Sequence, residues 1–192
     1  MFWCGVCTEP ADSFFAQTFI LHPYMKTFFA FFVALLFVST TALAQKPIPS
    51  AKVKSLDGRE FDTKNISNED GPIIISFWAT WCSPCKRELN TIAEDWEDWV
   101  DETGVKLVAV SIDDARNMAK VKPYVDGKGW EYDVLLDPNG DFKRALGVNN
   151  VPHTFLADAK GNIVWQHSGY SPGDEEELRE LVEKVAEGQP IK

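Results

Sequence analysis

Three apolar runs interrupt an otherwise polar chain, at 28–38, 73–78 and 105–112. In the second, Ile73, Ile74 and Ile75 follow the Gly71-Pro72 turn signal and lead into Phe77 and Trp78. A continuous β-branched run of this length predicts a central strand buried on both faces. Residues 105–112 repeat the pattern and predict a second central strand. Between them, 86–100 lacks Gly and Pro and is rich in Glu, Leu, Ala and Trp, which predicts a helix. Helical spacing puts Leu89, Ile92, Ala93, Trp96 and Val100 near one face, with Trp96 and Trp99 read as packing residues.

The shorter patterns fill in around these. Residues 53–56 and 60–62 flank Asp57-Gly58 and predict a hairpin. Asp113-Asp114 is expected to cap a helix reaching about Tyr124, rather than to hold a metal. A loop and strand over 128–136 end at the Asp137-Pro138-Asn139-Gly140 turn, and a brief helix covers 142–146. Residues 154–157 and 163–167 predict an antiparallel hairpin. Residues 172–187 predict an amphipathic helix with Leu178, Leu181, Val182 and Val185 inward and acidic residues in its first turn. This order of elements predicts an α/β domain, a mixed central β-sheet with helices on both faces and an N-terminal β-hairpin.

The first apolar run belongs to a different device. Lys26 precedes it, and Ala42-Leu43-Ala44 then leads into Gln45, which together read as a secretory signal peptide over 25–44. The run is shorter than the ~20 residues of a spanning helix, so an uncleaved anchor is the second reading. Met25 is then the expected start, and 1–24 an over-extended one. Cys4 and Cys7 lie in that segment, with neither a strand before them nor a helix after. Residues 45–52 are expected to be an extended linker and 53–192 one domain, a length that suffices for a filled core. The net charge of −10 argues against nucleic acid and anionic membrane surfaces as partners.

Candidate chemistry sits where the first central strand hands over to its helix, in Phe77-Trp78-Ala79-Thr80-Trp81-Cys82-Ser83-Pro84-Cys85-Lys86-Arg87-Glu88. A helix N-terminus presents unpaired N–H groups and partial positive charge, which favour a thiolate. Cys82, at or just before the helix start, is therefore the expected nucleophile, and Cys85, one turn in, the resolving thiol. Pro84 suits a first turn because it has no N–H to lose there. Zinc needs two further ligands, and only His153 and His167 follow, at no zinc-finger spacing. A structural disulfide is the other alternative. Glu88 falls one turn after Cys85 on the same side, where a solvated helix carboxylate is the alternative to a role at the thiols.

This stretch resembles the active-site signature of the thioredoxin superfamily, in particular its TlpA/ResA-like periplasmic or membrane-anchored branch. Gly147-Val148-Asn149-Asn150-Val151-Pro152-His153-Thr154-Phe155-Leu156-Ala157-Asp158, followed by Gly161-Asn162-Ile163, resembles a second block of that family. The resemblance implies the thioredoxin fold and a cis Val151-Pro152 peptide beside the cysteines, exposing the Val151 backbone to a partner strand. It also implies that Trp81 gives partners an apolar surface, that Ser83 and Pro84 tune the couple, and that Glu88 acts as proton acceptor for Cys85. Ser76 stands where many thioredoxins carry a buried Asp, and Asn90 where a Pro commonly kinks the helix. The implied function is an exported, monomeric thiol–disulfide oxidoreductase with no metal and no cofactor beyond the Cys82–Cys85 couple. Its partners would be disulfide-bearing proteins such as apocytochrome c, with a membrane thiol carrier as electron donor. An oxidant or isomerase is the nearest rival. A thiol peroxidase would need Thr where Ala79 stands, and a non-catalytic binding module would not need the dithiol.

Overall fold

The computed structural model describes residues 46–191; the expected signal peptide, the segment before it and Cys4 and Cys7 lie outside the described residues. Eight strands and five helices follow in the order β1 (Lys46–Pro47), β2 (Lys52–Ser55), β3 (Glu60–Asp62), β4 (Ile73–Trp78), α1 (Ser83–Glu94), α2 (Trp96–Thr103), β5 (Lys106–Ser111), α3 (Val121–Lys128), β6 (Asp133–Leu136), α4 (Asp141–Ala145), β7 (His153–Ala157), β8 (Asn162–Ser168) and α5 (Asp174–Ala186). They form one mixed sheet in the order β1-β8-β7-β4-β5-β6-β2-β3. β4 pairs in parallel with β5, and β5 with β6, while β7 runs antiparallel to β4. This is the thioredoxin-like arrangement expected from the order of elements.

Every residue of β4 is buried, so the strand reads as a near-continuous apolar run, broken by Ser76, rather than an alternating one. Its alternate side chains feed two cores. Ile74 and Trp78 pack with Leu89 and Ile92 of α1, Val121 of α3 and Leu178 and Val182 of α5. Ile73, Ile75 and Phe77 pack on the other face with Val53 of β2, Phe142 of α4 and Phe155 of β7. Each such side chain, once buried, contributes roughly 1.5–3 kcal/mol. Phe77, at the focus of the second core, meets Phe142 and Phe155 with ring centroids 5.3 and 6.0 Å away.

Three local expectations are revised. The single helix expected over 86–100 is two, interrupted at Asp95, whose φ/ψ of −118°/20° are not helical. The break resets the phase of the second piece, so Trp99 points inward and Val100 is 37% exposed. The stretch expected as a linker is docked instead: Lys46 pairs with Ile163, Ile48 is buried, and the Thr63 hydroxyl donates to the Pro49 carbonyl. Asp113 does not cap the following helix. It is buried, and only Asp114 accepts the amides of Arg116 and Asn117 ahead of the next helical turns.

Gly104 closes α2 in the left-handed region, at φ 64°, and a Cβ there would lie 2.5 Å from the Asp70 carbonyl oxygen. Only glycine fits both conditions. Asn68 fixes the same corner by donating to the carbonyl oxygens of Gly104 and Pro72.

Candidate active site

β4 ends at Trp78, and the chain turns through Ala79, Thr80 and Trp81 before α1 begins. The turn is closed by the Cys82 amide donating to the Ala79 carbonyl at 3.0 Å. Cys82 is the N-cap of α1, with extended φ/ψ, and its sulfur accepts the Cys85 amide at 3.3 Å. This is the helix-terminus position that favours negative charge on sulfur. Cys82 and Cys85 are joined as a disulfide with their Cα atoms 5.4 Å apart. Cys82 is 5% exposed and Cys85 fully buried, so an incoming sulfur can reach only Cys82. Ser83 is exposed, Pro84 lies in the first turn, and Trp81 stands out at 62% exposure.

The turn before Cys82 is held from the next strand. Both carboxylate oxygens of Asp113 accept hydrogen bonds from Thr80, one from its amide at 2.8 Å and one from its hydroxyl at 2.6 Å. The Ser111 hydroxyl adds a third at 2.8 Å. Three donors on one buried carboxylate fix the loop that presents Trp81 and Cys82.

Val151-Pro152 is a cis peptide at the start of β7. Val151 packs against the core that includes both cysteines, and the Pro152 carbonyl accepts the Gly169 amide at 2.9 Å. His153, next in the strand, is stacked on Phe155 and half-buried, and burial pushes its pKa down.

Glu88 is a buried carboxylate on the face of α1 that carries Cys85, rather than a solvated helix residue. The Thr154 hydroxyl donates to its Oε1 at 2.7 Å, and Oε2 has no partner among the described residues. Burial pushes the Glu88 carboxyl up to about 7; Asp174 and Glu175 of α5 act in the same direction and the Thr154 bond opposes them. Ser76, buried on β4, has its hydroxyl 3.3 Å from that of Thr154. Behind α1, Trp78, Tyr124, Trp130 and Tyr132 pack ring against ring. Asn90, where α1 continues uninterrupted, accepts from the Trp130 indole at 3.1 Å.

The residues singled out from the sequence thus converge on one end of the sheet, and Asp113 and Thr154 join them. Asp113 was legible only as a helix cap, and Thr154 only as part of the second motif. Among the described residues no three His, Cys, Asp or Glu side chains are placed to hold a metal ion, and no helix is long and apolar enough to cross a membrane.

Comparison with known proteins agrees with this geometry. Residues 44–166 match the AhpC/TSA family. The chain is 36% identical over 135 residues to the thiol:disulfide interchange protein DsbE of Tatumella citrea, covering 67% of each. It is 27% identical over 140 residues to the thiol-disulfide oxidoreductase ResA of Bacillus thuringiensis subsp. konkukian, covering 73% of this chain and 77% of the relative. The solution structure of an uncharacterized thioredoxin-like protein from Porphyromonas gingivalis superposes with a TM-score of 0.66 at 50% identity, over 73% of this chain and 92% of that one. The chain belongs to the AhpC/TSA family, among its thioredoxin-like thiol–disulfide oxidoreductases of the ResA and DsbE type.

Proposed function

We propose that this protein is exported and reduces disulfides in extracytoplasmic proteins, apocytochrome c among them, working as a monomer with Cys82–Cys85 as its redox centre and no bound cofactor. The observation that carries this reading is the pairing of an N-capping Cys82 with a buried Glu88 that ionises near neutrality. In the reduced protein the Cys82 thiolate attacks a partner disulfide. A bond forms between Cys82 and one partner sulfur, and the other partner sulfur leaves as thiolate. Glu88 then takes the proton of the Cys85 thiol, and the Cys85 thiolate attacks Cys82. The Cys82–Cys85 bond forms, the mixed disulfide breaks, and the partner departs with both sulfurs reduced. A membrane thiol carrier returns two electrons to the disulfide.

The Val151 backbone beside the cis peptide offers pairing for a partner strand, and Trp81 supplies apolar contact. Ser83 and Pro84 set the couple's potential by their place in the first turn. Ala79, three residues before Cys82, removes the Thr that peroxide chemistry calls for.

The test is the reduction potential, measured by equilibrating the protein in dithiothreitol or glutathione buffers and following tryptophan fluorescence. A value at or below about −250 mV is expected of a reductant. A value near about −120 mV would make the protein an oxidant or isomerase and overturn the reading. Cys82→Ser, expected to abolish turnover, is the control for the dithiol itself.

A further inference from the structure

Among the described residues Glu88 has one hydrogen-bond partner, and that partner is not on its own helix. Thr154 lies on β7, two residues after Pro152, and its hydroxyl reaches Glu88 Oε1 at 2.7 Å across the sheet–helix interface. Ser76 of β4 is directly paired with Thr154 in the antiparallel ladder, and their hydroxyl oxygens are 3.3 Å apart. All three side chains are at most 5% exposed, so water does not compete for these bonds.

A hydroxyl has one proton and can both donate and accept. With Glu88 ionised, Thr154 must donate to the carboxylate, which leaves Ser76 to donate to Thr154. With Glu88 protonated, the carboxyl can donate to Thr154, which turns to donate to Ser76. The row therefore satisfies both charge states by reversing its direction. The two arrangements are not equal, because a hydrogen bond to a charged acceptor is roughly twice as strong as one between neutral groups.

We infer that Thr154 is the positioning residue that governs proton uptake by Glu88, holding one carboxylate oxygen and, with Ser76, following the carboxyl through its change of charge. The inference rests on the reading of Glu88 as proton acceptor for Cys85. Thr154 opposes the burial and like charge that raise the Glu88 pKa. Asp174 and Glu175 on α5 raise its pKa by like charge, and His167 of β8 lies 3.5 Å from Asp174. Tyr170, in the connection to α5, and Tyr132, before β6, face it as neutral phenols, both with hydroxyl pKa values raised by burial.

The test is a carboxyl carbon-13 titration of Glu88 in the oxidised protein, together with single-turnover oxidation of the reduced protein by a peptide bearing one disulfide. Wild type is expected to titrate near pH 7. Thr154→Val keeps the shape and removes the donor, so its midpoint should rise by about one pH unit. Thr154→Ser should restore the wild-type midpoint, and Ser76→Ala should move it less than Thr154→Val does. A structural defect alone would lower stability without moving the titration. An unchanged midpoint in Thr154→Val overturns the inference whatever Glu88 does. A raised midpoint, with a rate profile that follows pH alike in wild type and Thr154→Val, upholds the contact and instead removes Glu88 from the reaction.

Discussion

Replacing Glu88 by Gln should make the protein more stable at alkaline than at acid pH relative to wild type. The carboxyl ionises with a pKa of about 7 in the folded protein against 4.5 in an open chain. A raised folded-state pKa contributes stability that is fully present below the unfolded value and is lost as pH rises through the folded one. Integrated between pH 5 and pH 8, the two pKa values correspond to a loss of about 2.5 kcal/mol from this one group. Gln retains an oxygen for the Thr154 hydroxyl and carries no charge, so its stability lacks that slope. Its amide nitrogen would occupy the unpartnered Oε2 position, a cost that does not vary with pH. The assay is urea unfolding of the oxidised proteins at pH 5, 6, 7 and 8, followed by tryptophan fluorescence. Titrations not coupled to Glu88 are common to both proteins and cancel in the difference. That difference should shift toward Gln by about 2.5 kcal/mol across the range, most of it between pH 5 and 7. A difference constant to within about 0.5 kcal/mol would refute the burial-driven shift.

Two further substitutions separate positioning from packing. Asp113→Ala strands the Thr80 amide and two hydroxyls behind Cys82, and should cost about 3 kcal/mol in denaturant unfolding, whereas Asp114→Ala on the exposed turn should cost under about 1 kcal/mol; similar losses at both would remove the clamp on Thr80. Trp81→Ala should leave stability within about 0.5 kcal/mol and lower kcat/KM for protein disulfides by about tenfold, and an unchanged kcat/KM would take Trp81 out of the partner surface.

The central strands were legible because burial on both faces leaves a continuous apolar run, and β4 falls where Ile73 to Trp78 placed it. The thiols were legible because a helix start after such a strand has few uses for two cysteines one turn apart. The interruption at Asp95 was not, since nothing in Glu94-Asp95-Trp96 forbids a helix and the break accompanies the packing of Trp96 against both Trp99 and Tyr132. Asp113 looked like a cap because its polarity follows a strand. That it turns back toward Thr80, 33 residues earlier, depends on the parallel pairing of β4 and β5, which no local pattern encodes. The burial of Glu88 is of the same kind: on the helix it looks like a surface charge, and only β7 and α5 enclose it.

The ends of the sheet bear on how such a protein survives its own substrates. A thiol–disulfide oxidoreductase meets protein chains whose strands can seek partners, and a sheet edge offers them a template. Here the outermost strands are two and three residues long. One carries Lys46 and Pro47, a charge and a residue without an amide proton; the other sets Glu60 and Asp62 around Phe61. Beyond the short cover of β1, strand β8 finishes in exposed Gln166, His167 and Ser168. Polar, brief margins of this kind give a visiting strand little apolar surface along which to extend the sheet.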